Sequence, residues 1–177
     1  MTSSEAVELL SPAIATHGGV WADLGAGEGT FTQALAELLG PDAHIYAVDR
    51  DANAVAELKR WAPNAKAKIS PVMGDFSQPF EPPRQALLDG MLFANSLHYV
   101  PEPGVVLARL ADWIKPGGRV VFIEYDRRVP NRWVPYPIPI TALPKVTAAA
   151  GLTAPEIVGR RASLYQGEMY VAWAGRE

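Results

Sequence analysis

The stretch that most constrains this chain is Val20-Trp-Ala-Asp-Leu-Gly-Ala-Gly-Glu-Gly-Thr-Phe-Thr32. Its first half predicts a buried strand, its centre a glycine-rich bend, and its second half the start of a helix running from Phe31 to Leu39. A strand, loop and helix in that order build a ligand site. Gly25, Gly27 and Gly29 carry no Cβ, so the backbone can take positive φ and a ligand can approach it, while free N–H groups at the helix start face the same point. Two features argue against a dinucleotide. The fingerprint G-x-G-x-x-G needs its third glycine where Thr30 stands. Asp23 puts a carboxylate at the strand end, repelling a pyrophosphate and attracting a cation. A ligand bearing an ammonium or sulfonium fits better.

The chain has 177 residues and 19.1 kDa, enough for one domain, 1–177, with a full hydrophobic core. A formal net charge of −3 with 20% charged residues lacks the basic excess of a nucleic-acid binder, so no nucleic acid is expected as a partner. With no cysteine there can be no disulfide, thiolate nucleophile or cysteine metal site, which fits the cytoplasm. Met1 to Glu8 has no basic n-region, and no run of 18 apolar residues occurs, so a soluble, unexported protein without a membrane partner is expected. His17, His44 and His98 fall on unrelated elements without ligand spacing, so no metal is expected.

Residues 3–16 predict a short amphipathic helix, capped by Ser3 or Ser4, with Val7, Leu10 and Ile14 on one face. Gly18-Gly19 resets the chain into the first strand. The first helix after the loop should stop at Gly40-Pro41. A second strand, Ala43–Val48, ends in Asp49, and a helix over about 51–62 closes at Pro63. A third strand around Ile69–Met73 leads to Gly74-Asp75-Phe76. Pro79, Pro82 and Pro83 predict an irregular segment before the apolar fourth strand, Gly90–Ala94, whose lack of alternation suits a central parallel strand. Asn95-Ser-Leu-His-Tyr-Val100 follows it. From Pro103 a helix places Val106, Leu107, Leu110, Trp113 and Ile114 for burial, and Lys115-Pro-Gly-Gly118 turns it into a fifth strand, Arg119–Glu124. Five prolines between 127 and 144, around Trp133 and Tyr136, keep that segment extended on the surface. A helix over Ile140–Ala150 and two strands, Glu156–Leu164 and Glu168–Ala174, joined by a turn at Tyr165-Gln-Gly167, complete the chain.

Asp-Leu-Gly-Ala-Gly-Glu-Gly at 23–29 resembles the first motif of the class I S-adenosylmethionine-dependent methyltransferases. Lys115-Pro-Gly-Gly118 before a strand and Asn95-Ser-Leu-His-Tyr99 after the fourth strand resemble the same family, over roughly residues 20 to 126. The Asn-Pro-Pro-Tyr pattern of enzymes that methylate exocyclic or amide nitrogens is missing, which argues against a nucleic-acid base as substrate. The resemblance, with the element order, implies an α/β Rossmann-like three-layer sandwich: a seven-stranded, mostly parallel sheet with one antiparallel strand at the C-terminal hairpin. It also implies that S-adenosylmethionine gives up a methyl group to a small-molecule acceptor, leaving S-adenosylhomocysteine. The alternative is a non-catalytic S-adenosylmethionine-binding regulatory or partner subunit, because there is almost no room for the amino-terminal cover that often holds the substrate in this family.

Asp23, Gly25, Ala26, Gly27, Asp49, Arg50, Gly74, Asp75, Phe76 and Asn95 are the candidate cofactor residues. Asp49 can accept both hydroxyls of a ribose or cap the next helix, for which Asp51 is better placed. The resemblance gives Asp75 the adenine amino group and Phe76 the ring, while a Gly-Asp turn after any strand is common. His98, Tyr99 and Asp126 are the catalytic candidates. His98 can be a general base or a histidine bound only to backbone. Tyr125, Asn131 and Trp133 are further candidates for the acceptor pocket. The segment 127–144 reads as a lid or a passive connector. Arg127, Arg128, Arg132, Arg160 and Arg161 either recognise an anionic acceptor or are simply solvated.

Overall fold

A computed structural model of the chain describes residues 1–81, 87–162 and 167–177. Pro82 and Pro83, the end of the predicted sixth strand at Leu164, and most of the turn at Tyr165-Gln-Gly167 lie outside the described residues. The order is α1 (Ser3–Leu10), β1 (Gly19–Leu24), α2 (Thr30–Leu39), β2 (Ala43–Asp49), α3 (Ala52–Trp61), β3 (Lys68–Met73), β4 (Leu88–Ala94), α4 (Pro103–Ala111), β5 (Ile114–Tyr125), α5 (Leu143–Ala149), β6 (Glu156–Ala162) and β7 (Glu168–Gly175). Strands stand in the order β3-β2-β1-β4-β5-β7-β6. β1 to β5 run parallel, and β7 lies antiparallel between β5 and β6. The order reverses between β1 and β4, where open α/β sheets bind their ligands.

Alternation along the strands divides the core into two apolar layers. Leu24, Val48, Met91, Phe93, Phe122 and Tyr170 face α4 and α5, whereas Trp21, Ile45, Leu92, Val121 and Val171 face α1 and α2. Each such side chain contributes about 1.5–3 kcal/mol when fully buried. The central strands are covered on both faces, which is why they read as continuous apolar runs.

Several local expectations are corrected. Thr2, not Ser3 or Ser4, caps α1: its hydroxyl accepts the Glu5 amide while the Glu5 carboxylate accepts the Thr2 amide, a reciprocal box that neither serine can form. The helix turns into a 3₁₀ turn at Ser11, ahead of Pro12. Helix α4 stops at Ala111, so Trp113 lies outside it and Ile114 opens β5 opposite Leu88. Lys115–Gly118 therefore belongs to β5 rather than to a turn before it. Its backbone is held from the other side, where Gly117 N–H donates to Arg176 O and Arg176 N–H to Gly118 O. Helix α5 starts three residues later than expected, at Leu143 with Pro144 in its first turn. The proline-rich segment is not wholly superficial, because Val134 and Ile138 are buried.

Candidate functional site

The carboxyl ends of β1 to β4 meet around one cleft of about 200 Å³, walled by Gly25, Asp49, Arg50, Gly74, Asp75, Phe76, Ser77, Asn95, Ser96, Tyr99 and Val100. Gly25 turns the chain at the end of β1 with φ 83°, and a Cβ there would lie 2.4 Å from Ser96 Cβ. Only glycine lets the β1 and β4 ends approach so closely. Gly27 has open space where its Cβ would stand, on the same loop.

The N–H groups of this loop are largely used internally, contrary to the expectation that they face a ligand. Gly25 and Ala26 donate to Val48 O, and Gly27 donates to Asp49 Oδ2 at 2.7 Å. Ala26 does not line the cleft. Helix α2 carries no side-chain cap on its first N–H groups.

Asp23 is the largest correction. It is fully buried behind the loop and tied to α2 by the Thr32 hydroxyl, 2.6 Å from its Oδ2, while its Oδ1 has no partner among the described residues. Burial pushes its carboxyl up to about 7; the Thr32 hydroxyl pulls the other way and Asp49 adds to the rise. It therefore braces the strand and helix instead of presenting a charge to the cleft.

Asp49, half-buried, lines the cleft and accepts one backbone N–H on each oxygen, from Gly27 and Asp51. Two carboxylate oxygens have about four lone-pair sites, so acceptor capacity remains. Asp51 caps α3 through Asn53 N–H, which leaves Asp49 free of that task. Asp75 accepts the amide and hydroxyl of Ser77 on Oδ1, and Arg50 stands 3.5 Å from its Oδ2. Burial raises its carboxyl, but the Ser77 bonds and Arg50 outweigh this and hold it below the usual range. Phe76 lines the cleft with its ring edge-on to Phe93 at 5.4 Å, and its carbonyl is fixed by Arg109. Asn95 closes the floor at φ 53°, a backbone that side chains rarely adopt, and its buried Oδ1 has no partner among the described residues. Such strain costs about 1–3 kcal/mol and gathers at functional sites.

Of the catalytic candidates Tyr99 alone lines the cleft. Tyr99 faces the cleft and is 46% exposed. His98 is 2% exposed and sits behind Tyr99, with ring centroids 4.5 Å apart and its Nδ1 on Glu124. Asp126 does not reach the cleft; its Oδ1 accepts the Ile140 amide. Asn131 folds onto its own turn, accepting the amides of Trp133 and Val134, and Trp133 is exposed with the Arg132 guanidinium 4.5 Å above its ring. Arg160 and Arg161 pair with Glu168 and Glu5, on the far side of the sheet edge.

Sequence reasoning missed Ser77, Ser96 and Glu124. Ser77 was legible as the Asx-type partner two residues after Asp75. Ser96, whose hydroxyl donates to Leu24 O at 2.6 Å, and Glu124 act over long sequence distances that no local pattern reports. Among the described residues no group of three or more His, Asp or Glu could hold a metal, and no helix is long and apolar enough to cross a membrane.

A family model described as a methyltransferase domain matches residues 22–118, more than half of the chain. A protein-L-isoaspartate O-methyltransferase from Methanothrix thermoacetophila is 32% identical over 100 residues, covering 56% of this chain and 44% of that protein. The chain spans less than half the length of the curated relatives it matches, 44% and 47%. Among solved structures, a methyltransferase of calicheamicin biosynthesis in its SAH-bound form superposes with TM-score 0.75 at 22% identity, over 99% of this chain and 54% of that one. Magnesium protoporphyrin IX methyltransferase from Synechocystis PCC 6803 with bound SAM gives 0.70 at 16% identity, over 99% and 78%. These two likenesses establish the shared Rossmann-like fold.

Proposed function

Because this chain belongs to the methyltransferase-domain family, we propose that it moves a methyl group from S-adenosylmethionine to a small-molecule acceptor. The observation that carries the reading is the convergence of four strand ends, with Gly25, Asp49, Asp75 and Asn95, on one cleft. The residues present suit the donor. Asp49 keeps lone pairs for ribose hydroxyls, Asp75 suits the adenine amine, Phe76 offers a ring, and the unpartnered Asn95 Oδ1 suits an ammonium. The open space where a Cβ would stand at Gly27 lets the loop backbone approach the methionine part.

When bound, the donor supplies a methyl group already activated by the sulfonium charge. The protein's part is alignment and exclusion of water, and fixed geometry is worth roughly 7–11 kcal/mol of barrier. Tyr99 lines the cleft where an acceptor enters. For an acceptor that arrives protonated the candidate base is His98, whose Nδ1 meets Glu124, and a general base contributes about 10²–10⁴-fold. Arg127, Arg128 and Arg132, on a segment that carries no acidic residue between 127 and 144, suit an anionic acceptor, and the curated relatives are named protein-L-isoaspartate O-methyltransferase. The cytoplasmic setting expected from the cysteine-free sequence belongs to the same reading.

A second reading, a donor-binding partner subunit without transferase activity, is favoured by the burial of His98, which keeps the candidate base out of the cleft. Titration calorimetry with S-adenosylmethionine, S-adenosylhomocysteine and NAD tests the donor. Binding of the first two and not NAD is expected; NAD binding alone overturns the proposal. Methyl transfer in an acceptor screen then separates the enzyme from the partner subunit.

A further inference from the structure

Glu124 is fully buried at the end of β5, on the sheet face that carries Phe122 and Tyr170. Its Oε1 accepts the amides of Leu97 and His98 at 3.0 and 3.2 Å, and its Oε2 meets His98 Nδ1 at 2.5 Å. Burying an unpaired carboxylate is strongly unfavourable, and three donors offset that cost. Directly opposite Glu124 in the β5–β7 register stands Tyr170, also fully buried, whose hydroxyl donates to Ile138 O at 2.8 Å. The His98 carbonyl accepts the Tyr136 amide at 3.0 Å. One place on the sheet thus grips two things: the loop 95–99, whose Asn95, Ser96 and Tyr99 line the cleft, and the proline-rich segment at 136–138.

We propose that Glu124 is a positioning residue which, with His98 and Tyr170, clasps the segment 134–140 to the cleft loop, so that occupation of the cleft and ordering of that segment are linked. The linkage half rests on the reading of the cleft as a donor site. Coupling between two sites is reciprocal: whatever factor the ligand adds to the closed segment, a loosened segment takes from the ligand's affinity.

The test uses Glu124→Gln and Tyr170→Phe, with Val129→Ser on the exposed part of the same segment as control. Amide exchange is read by NMR at Tyr136, with Leu92 in the buried central strand β4 as core reference, and S-adenosylhomocysteine is titrated into each protein. Tyr170→Phe removes one hydroxyl and touches no residue of the cleft wall. Both variants should exchange the Tyr136 amide about tenfold faster, as expected for a lost buried hydrogen bond, with Leu92 unchanged. Both should bind S-adenosylhomocysteine about three- to tenfold more weakly, and the ligand should slow Tyr136 exchange in the wild type. Equal acceleration at Leu92 makes Glu124 a core stabiliser only and overturns the proposal, as does an unchanged Tyr136 rate. Unchanged affinity with a faster Tyr136 removes the linkage. Failure of the wild type to bind S-adenosylhomocysteine counts against the donor reading, and the exchange rates in the unliganded protein still decide the clasp.

Discussion

On the β2–β3 side of the cleft each carboxylate has one oxygen fixed by a neighbour two positions on, Asp49 by the amide of Asp51 and Asp75 by Ser77, while the other oxygen reaches further, to Gly27 N–H and to Arg50. On the β4–β5 side Glu124 is fixed by donors 26 and 27 positions away, and the Tyr170 hydroxyl by a carbonyl 32 away. The first side is a set of local turns joined across β1 and β2 by backbone amides of the glycine loop. The second exists only once several strands are packed. On the proposed function the half that suits the donor leans on short turns and loop amides, whereas the other half is assembled from long-range side-chain bonds.

The comparison can be broken most sharply at Asp23, beneath the first side. Its carboxyl keeps a proton to about pH 7 in the folded state, against an ordinary value of 3.8. The folded state therefore binds more protons than the unfolded one between these values, and stability is lost as pH rises from about 4 to 7. Asp23→Asn should lack this slope, so the difference between variant and wild type in denaturant unfolding should change by up to about 4 kcal/mol between pH 4 and pH 8. Parallel curves at both pH values would refute the buried, protonated carboxyl.

Gly25→Ala comes next. Its Cβ would fall on Ser96 at positive φ, so a loss of roughly 2–4 kcal/mol in urea unfolding is expected, together with loss of the cleft. A near-neutral result would mean that β1 and β4 can part without harm. Asp49→Ala should weaken S-adenosylmethionine binding by about 1–3 kcal/mol if its spare lone pairs hold the ribose. Calorimetry giving an unchanged affinity would leave Asp49 as a loop brace for Gly27 and Asp51. Smallest is Arg50→Gln. The side chain is 67% exposed and its pair with Asp75 is 3.5 Å long, so folding stability should move by no more than about 0.5–1 kcal/mol. A larger effect in thermal unfolding would show that the first side depends on this ion pair as well as on its turns.

The same division explains what was legible in the sequence. Gly25, Asp49, Asp75 and Asn95 were legible from local sequence, and all four line the cleft. Asp23 was legible as a residue but not in its role, because whether a side chain at the end of β1 points to the cleft or to α2 depends on the pleat and on Thr32. His98 showed its chemistry but not its burial, which is set by Glu124, Tyr99 and the segment carrying Tyr136. The cap of α1 was missed by one residue because Glu5 at the third helical position selects Thr2.

Strand β7 enters the sheet between β5 and β6, not at its edge. Tyr170, the anchor of Ile138, therefore arrives only when the last hairpin has inserted. This anchor is in effect a completeness check: a chain whose final hairpin has come adrift retains the strands whose ends wall the cleft but loses the hydroxyl that holds Ile138. Partial unfolding from that end would free the segment at 136–138 while the walls of the cleft still stood.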